Sequence, residues 1–135
     1  MENFSGTRIL LVERDNDVRN LFEIFLFGQG YSVCTAKEPS EAFSIIKLTP
    51  PNVVFSSLVF HEMDGFKFCQ KLRLMPEMKS TLIVALTGYS ETNVEQKAID
   101  SGFDKFFLKP ISVHDMVEVI EQHRSGQASH RLMRA

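Results

Sequence analysis

Short apolar runs alternate with amphipathic stretches five times along this chain, and that alternation limits its fold more than any other feature. A strand-length apolar run reads as buried strand, whereas apolar residues recurring every three or four positions line one face of a helix. "TRILLV" (7–12) predicts the first strand. Behind Asp15, a capping residue type, Val18, Leu21, Phe22 and Phe25 fall at helical spacing as a core-facing stripe. "GQG" stops that helix, and "YSVCTA" predicts the second strand. Pro39 suits the first turn of a helix carrying Ala42, Phe43, Ile45 and Ile46. "NVVFS" predicts the third strand, and Asp64 opens a helix with Phe66, Phe68, Cys69 and Leu72. "TLIVALT" (81–87) is the clearest strand; Thr92 and Glu95 after it have capping-box spacing, and Gly102 is a natural helix stop. "DKFFLKP" predicts the fifth strand, ended by Pro110, and "SVHDMVEVIEQH" a closing amphipathic helix.

Strands separated by helices cannot pair as hairpins, so the pattern predicts an α/β fold: a five-stranded parallel sheet covered by helices on both faces. Right-handed connections put the carboxyl ends of all strands on one edge. That edge gathers Glu13, Arg14, Ser57, Thr87 and Lys109, polar residues from four different strands. At 135 residues with 44% hydrophobic side chains, the chain suffices for one domain with a sizeable core. The predicted organisation is a short extension (1–6), the domain (7–124), and a flexible basic tail (125–135). Twelve Phe and no Trp predict an aromatic-rich interior.

Composition excludes several functions. A formal charge of -2 gives no general affinity for nucleic acid or an anionic membrane, and Arg124, Arg131 and Arg134 are too few for a nucleic-acid site. No apolar run reaches the roughly 20 residues of a membrane span. Cys34 and Cys69 have neither metal nor disulfide spacing, which fits a reducing, cytoplasmic setting. His61, His114, His123 and His130 are scattered and read as surface residues. Ser57 has no G-x-S-x-G elbow around it, so a hydrolytic nucleophile is not indicated, nor is an enzyme.

"ILLVER", the "MDGF" after the third strand, "ALTGY" ending the fourth and "AIDSGFDKFFLKP" stand in an order that resembles the receiver domain of bacterial two-component response regulators. The resemblance runs over about residues 8–124 and implies a flavodoxin-like fold. In that family an acidic pair and an Asp ending the third strand hold Mg²⁺, and the Asp takes a phosphoryl group from a histidine kinase or small phosphodonor. Here Ser57 stands at the acceptor position, Glu13 and Arg14 at the acidic pair, and His61 where Pro is usual. Three marks are kept: Thr87 as the phosphoryl-contacting hydroxyl, Lys109 as its cationic partner, and Phe106 at the aromatic switch position. The resemblance also implies a cis peptide at Pro110.

These substitutions point to a silent pocket. A carboxylate is already ionised at neutral pH, whereas a serine hydroxyl needs a base. Lys109, without its Asp, is the expected claimant of Glu13. Glu13, Arg14 and Lys109 sum to +1, so Mg²⁺ binding is expected to be lost or weak. The expected role is an atypical receiver (a pseudo-receiver) in phosphorelay signalling, binding a histidine kinase, phosphotransfer protein or another response regulator without being phosphorylated. A homodimer through the fourth helix, fifth strand and fifth helix, involving Glu91, Glu95, Phe106 and His114, is a further expectation. Two alternatives stand beside it: phosphorylation on Glu62 or Asp64, and small-anion binding by Arg14 and Lys109. Asp64 also reads as a helix cap.

Overall fold

The computed structural model describes residues 6–88 and 93–134, with side chains described through residue 126. Five strands, β1 (Arg8–Val12), β2 (Ser32–Ala36), β3 (Val53–Ser57), β4 (Leu82–Thr87) and β5 (Lys105–Leu108), form one parallel sheet in the order β2-β1-β3-β4-β5. The helices between them are α1 (Asn16–Gly28), α2 (Pro39–Leu48), α3 (Gly65–Arg73), α4 (Val94–Ser101) and α5 (Val113–Arg134). The alternation predicts the parallel sheet, and the strand order is the flavodoxin-like one that the resemblance implies.

Side chains alternate across the sheet and feed two cores. Leu10, Val12, Val54 and Ile83 pack with Ile46 of α2, Phe68 and Leu72 of α3 and Ala98 of α4. Ile9, Leu11, Phe55 and Val84 pack with Phe22 and Leu26 of α1 and Met116 and Ile120 of α5. β3 is buried along its whole length, because it lies in the sheet interior with helices over both faces. Each fully buried Leu, Ile or Phe contributes about 1.5–3 kcal/mol relative to exposure.

Local signals act where the sequence places them. Asp15 accepts a hydrogen bond from the Val18 N–H (3.0 Å), and Asp64 one from the Lys67 N–H (2.8 Å), each capping its helix. Pro39 sits in the first turn of α2, and Gly102 ends α4 at φ 113°. Gly65 is required for another reason: a Cβ there would lie 2.5 Å from Leu58 Cα and 2.7 Å from Ser57 O. The start of α3 is thereby pressed onto the end of β3.

Three expectations change. α5 is helical through Arg134, so residues 125–134 continue the helix that the sequence reading ended at the domain boundary. The segment lacks Pro, and behind Ser125 and Gly126 it carries Gln, Ala, Arg, Leu and Met, good helix formers that continue the helix in spite of the glycine. On α1, Val18 and Phe22 pack into the core as expected and Leu26 joins them, whereas Leu21 and Phe25 are about half exposed. The helix is apolar on two faces, and periodicity alone does not choose between them. Thr92 lies outside the described residues; α4 begins at Val94 behind Asn93, which holds a left-handed φ of 78° and makes no side-chain cap.

Candidate functional site

The carboxyl edge of the sheet opens into a cleft of about 530 Å³, lined by Glu13, Arg14, Asp15, Ser57, Val59, Thr87, Gly88 and Lys109. The residues expected from four strands are brought together, and Asp15 joins them. Glu13 closes β1, with its N–H donating to Ala36 O (2.9 Å) and its carbonyl accepting from the buried Arg19 guanidinium (2.8 Å). Both of its carboxylate oxygens are engaged. Oε1 accepts from Lys109 Nζ at 2.7 Å, and Oε2 accepts from the Asp15 N–H at 3.0 Å. Lys109 therefore pairs with Glu13 in the space between β1 and β5.

Ser57 is the last residue of β3 and is nearly buried. Its Oγ accepts from the Val59 N–H at 3.4 Å, and its carbonyl accepts from Ser56 Oγ at 2.8 Å. Among the described residues no base is set to take its proton, because Lys109 and Glu13 are paired with each other and His61 is turned to Arg14. Thr87 ends β4 and is buried; its carbonyl accepts from the Lys109 N–H at 2.7 Å. The Lys109–Pro110 peptide is cis. Phe106 is half-buried on β5 and packs against the core shared with α2, α3 and α4.

Arg14 also lines the cleft, and its guanidinium is engaged by other side chains. Its Nη2 lies in hydrogen-bond contact with His61 Nε2, and its Nε is 3.6 Å from the Glu38 carboxylate. Glu38 also accepts the backbone N–H groups of His61 (3.0 Å) and Glu62 (3.2 Å). Glu62 returns the contact, accepting from Ser40 N–H (2.8 Å) and Ser40 Oγ (2.6 Å) in the first turn of α2. The Ser40 hydroxyl and amide hold the Glu62 carboxyl below the usual carboxylate range. Each of these glutamates thus binds backbone N–H groups on the other's segment, fastening the β3–α3 loop to α2. Sequence reasoning missed Glu38, because its partners lie 23 and 24 residues away and no local motif marks it. Asp15 could have been found as the immediate neighbour of the altered pair.

Counting Asp15 corrects the charge of the pocket: two carboxylates against Arg14 and Lys109 leave it neutral instead of +1. The donor set fits Mg²⁺ poorly, since that ion asks for near-octahedral oxygen ligands. Both Glu13 oxygens already accept a hydrogen bond, Asp15 has one oxygen committed to the α1 cap, and the Arg14 and Lys109 side chains flank them. Among the described residues, no three His, Cys, Asp or Glu side chains group as a metal site. Neither Glu62 nor Asp64 lines the cleft, and each serves as a cap. Of the thiols, burial pushes Cys69 up to about 12, which leaves it a core residue, and Cys34 is exposed. No described helix is long and apolar enough to cross a membrane.

Comparison with known proteins places this geometry. The family described as response regulator receiver domain matches residues 9–121. An uncharacterized 14.6 kDa protein in the sodA1 3′ region of Leptolyngbya boryana is 29% identical, over 91% of this chain and 94% of its own length. Protein PilG of Pseudomonas aeruginosa is 25% identical, covering 87% of each chain. The probable transcriptional regulator ycf27 of Porphyridium aerugineum is 30% identical, but the match spans 44% of its length. A solved CheY-like receiver domain protein from Methanospirillum hungatei superposes with a TM-score of 0.85 at 22% identity, over 93% of this chain and 99% of that one.

Proposed function

The chain belongs to the response regulator receiver domain family, and on that premise we propose that it serves two-component signalling as a protein-interaction module that takes no phosphoryl group at Ser57. The observation that carries this reading is the state of the cleft. The residue at the end of β3 is a hydroxyl with no base among the described residues, and the carboxylate beside it accepts hydrogen bonds on both oxygens. Mg²⁺ binds weakly or not at all in such a pocket. The Glu38 and Glu62 contacts favour one arrangement of the loops around the cleft, and the module then acts through whichever partner binds that arrangement. A histidine kinase, a phosphotransfer protein or another response regulator is the class of partner, in a cytoplasmic setting. The exposed Ile99 and Leu108 and the half-buried Phe106 offer apolar area on the α4–β5–α5 side for such a contact.

The alternative acceptors lose support because Glu62 and Asp64 are occupied as caps. A small-anion site loses support because Lys109 is paired with Glu13, and Arg14 with Glu38 and His61. The test is intact mass after incubation with excess small phosphodonor and Mg²⁺. An unchanged mass is expected; an added phosphoryl group on the wild-type chain would sink the reading.

A further inference from the structure

His61 stands between a cation and an anion, and its two ring nitrogens have different tasks. Nε2 lies in hydrogen-bond contact with Arg14 Nη2, and Nδ1 is 3.4 Å from Glu38 Oε2. A guanidinium has only donors and keeps its proton, so Nε2 is the acceptor in that contact. A neutral imidazole has one N–H and one bare nitrogen, which puts the proton on Nδ1, beside the carboxylate. The two neighbours thus select both the charge and the tautomer of the ring.

Glu38 divides its oxygens unevenly. Oε1 accepts the backbone N–H groups of His61 (3.0 Å) and Glu62 (3.2 Å). Oε2 is the oxygen that both side chains approach, His61 Nδ1 at 3.4 Å and Arg14 Nε at 3.6 Å. Among the described residues, the charged groups set against the ring are Arg14 from the β1–α1 loop and Glu38 from the approach to α2. Glu62, next in the chain, is turned to Ser40. The His61 side chain is 74% exposed, so protons reach it from solvent.

We propose that His61 is a proton-operated latch on Arg14. When Nε2 takes a proton from water it becomes a donor facing a donor, with two positive charges at contact distance, and the Arg14 bond is lost. The same proton makes the Nδ1–H contact with Glu38 charge-assisted, so the ring competes with Arg14 for Oε2. The guanidinium is released on both counts. Asp15 lines the same cleft; its Oδ1 caps α1, and its Oδ2 has no partner among the described residues, so it can receive the freed cation. The backbone bonds to Glu38 Oε1 need no ring proton and persist, so the β3–α3 loop stays fastened to α2 while the cation moves. Histidine changes charge between pH 5 and 8, and over that range the latch alters the charge pattern that a partner meets at the cleft. As regulation of the cleft, this rests on the interaction-module reading.

NMR of the isotope-labelled full chain tests the latch without any phosphodonor, so it fails or stands independently of the mass test at Ser57. Near about pH 8 the ring-nitrogen shifts of His61 should place the proton on Nδ1. Between about pH 8 and about pH 5 the Arg14 guanidinium signals, assigned by their loss in Arg14→Lys, should shift in step with the titration of the His61 ring. In His61→Gln, whose side-chain oxygen can accept from Arg14 at every pH, that shift should disappear. A ring proton on Nε2 near about pH 8 overturns the inference with no variant needed. So do Arg14 signals that stay still while the ring titrates, or that shift equally in His61→Gln.

Discussion

The proposed silence of the cleft turns on Ser57, a hydroxyl where the resemblance places a carboxylate. Lys109, which the resemblance would pair with that carboxylate, lies 2.7 Å from Glu13. Restoring the acceptor alone therefore returns only part of the site. A Ser57→Asp chain would draw Lys109 back but leave the Arg14 guanidinium where the second acidic residue would stand. We expect Ser57→Asp to gain little Mg²⁺-dependent phosphoryl adduct. The combination of Ser57→Asp with Arg14→Asp should gain at least about tenfold more, about 1.4 kcal/mol. Intact mass against Mg²⁺ concentration reads both. Equal labelling of the single and double variants would mean that Arg14 is no obstacle. At this scale the sequence named the polar residues that meet at the cleft. That Glu13 had lost both oxygens to Lys109 and the Asp15 amide depended on side-chain positions 96 and 2 residues apart, brought together by folding.

Elements meet at the cleft through close backbone contact, and α3 is the clearest case. Its first residue, Gly65, donates its N–H to Leu58 O at 2.9 Å and leaves no room for a side chain. Alanine would favour the helix by about 0.5–1 kcal/mol, but its Cβ would meet backbone at 2.5 Å. The clash is the larger effect, so Gly65→Ala should destabilise by about 1–3 kcal/mol. Chemical denaturation measures this, and an unchanged or raised midpoint would mean α3 can shift freely. At the other end of α3, Arg73 donates to Gly102 O (2.8 Å), Thr81 O (3.0 Å) and Asp104 Oδ2 (2.6 Å), tying this helix to β4 and β5. Replacing it with Met strands those acceptors and should cost about 1–3 kcal/mol in the same assay; no loss would show that water replaces all three contacts. Periodicity located these helices well. On α1 it placed Val18 and Phe22 inward correctly but also Leu21 and Phe25, which satisfy the same spacing and which packing against the sheet left about half exposed.

For the whole molecule, stability couples to pH through the contact that fastens the β3–α3 loop to α2. Glu62 is held below its ordinary 4.5 by the Ser40 hydroxyl and amide. The unfolded chain therefore takes up that proton at a higher pH than the folded one. The contribution is present above the ordinary value and fades as pH falls through the lowered one. The thermal midpoint of the wild type should exceed that of Glu62→Gln at neutral pH, and the gap should narrow as pH falls below the ordinary 4.5. A gap that stays constant would assign the difference to shape instead of charge. Tyr31 acts at the opposite limit: burial and its bond to Glu121 push its hydroxyl up, so its contribution holds below the ordinary 10.0 and fades above it. What the sequence determined by itself was the alternation of strand and helix, hence the parallel sheet, the edge where Glu13, Ser57, Thr87 and Lys109 converge, and the caps at Asp15 and Asp64. These are consequences of local periodicity and handedness, which act within a few residues. Only the tertiary structure decided the ion pair of Lys109 with Glu13, the exchange of caps between Glu38 and Glu62, and which stripe of α1 faces solvent. Each of those depends on residues distant along the chain meeting at hydrogen-bond or packing distance, and no local pattern records such a meeting.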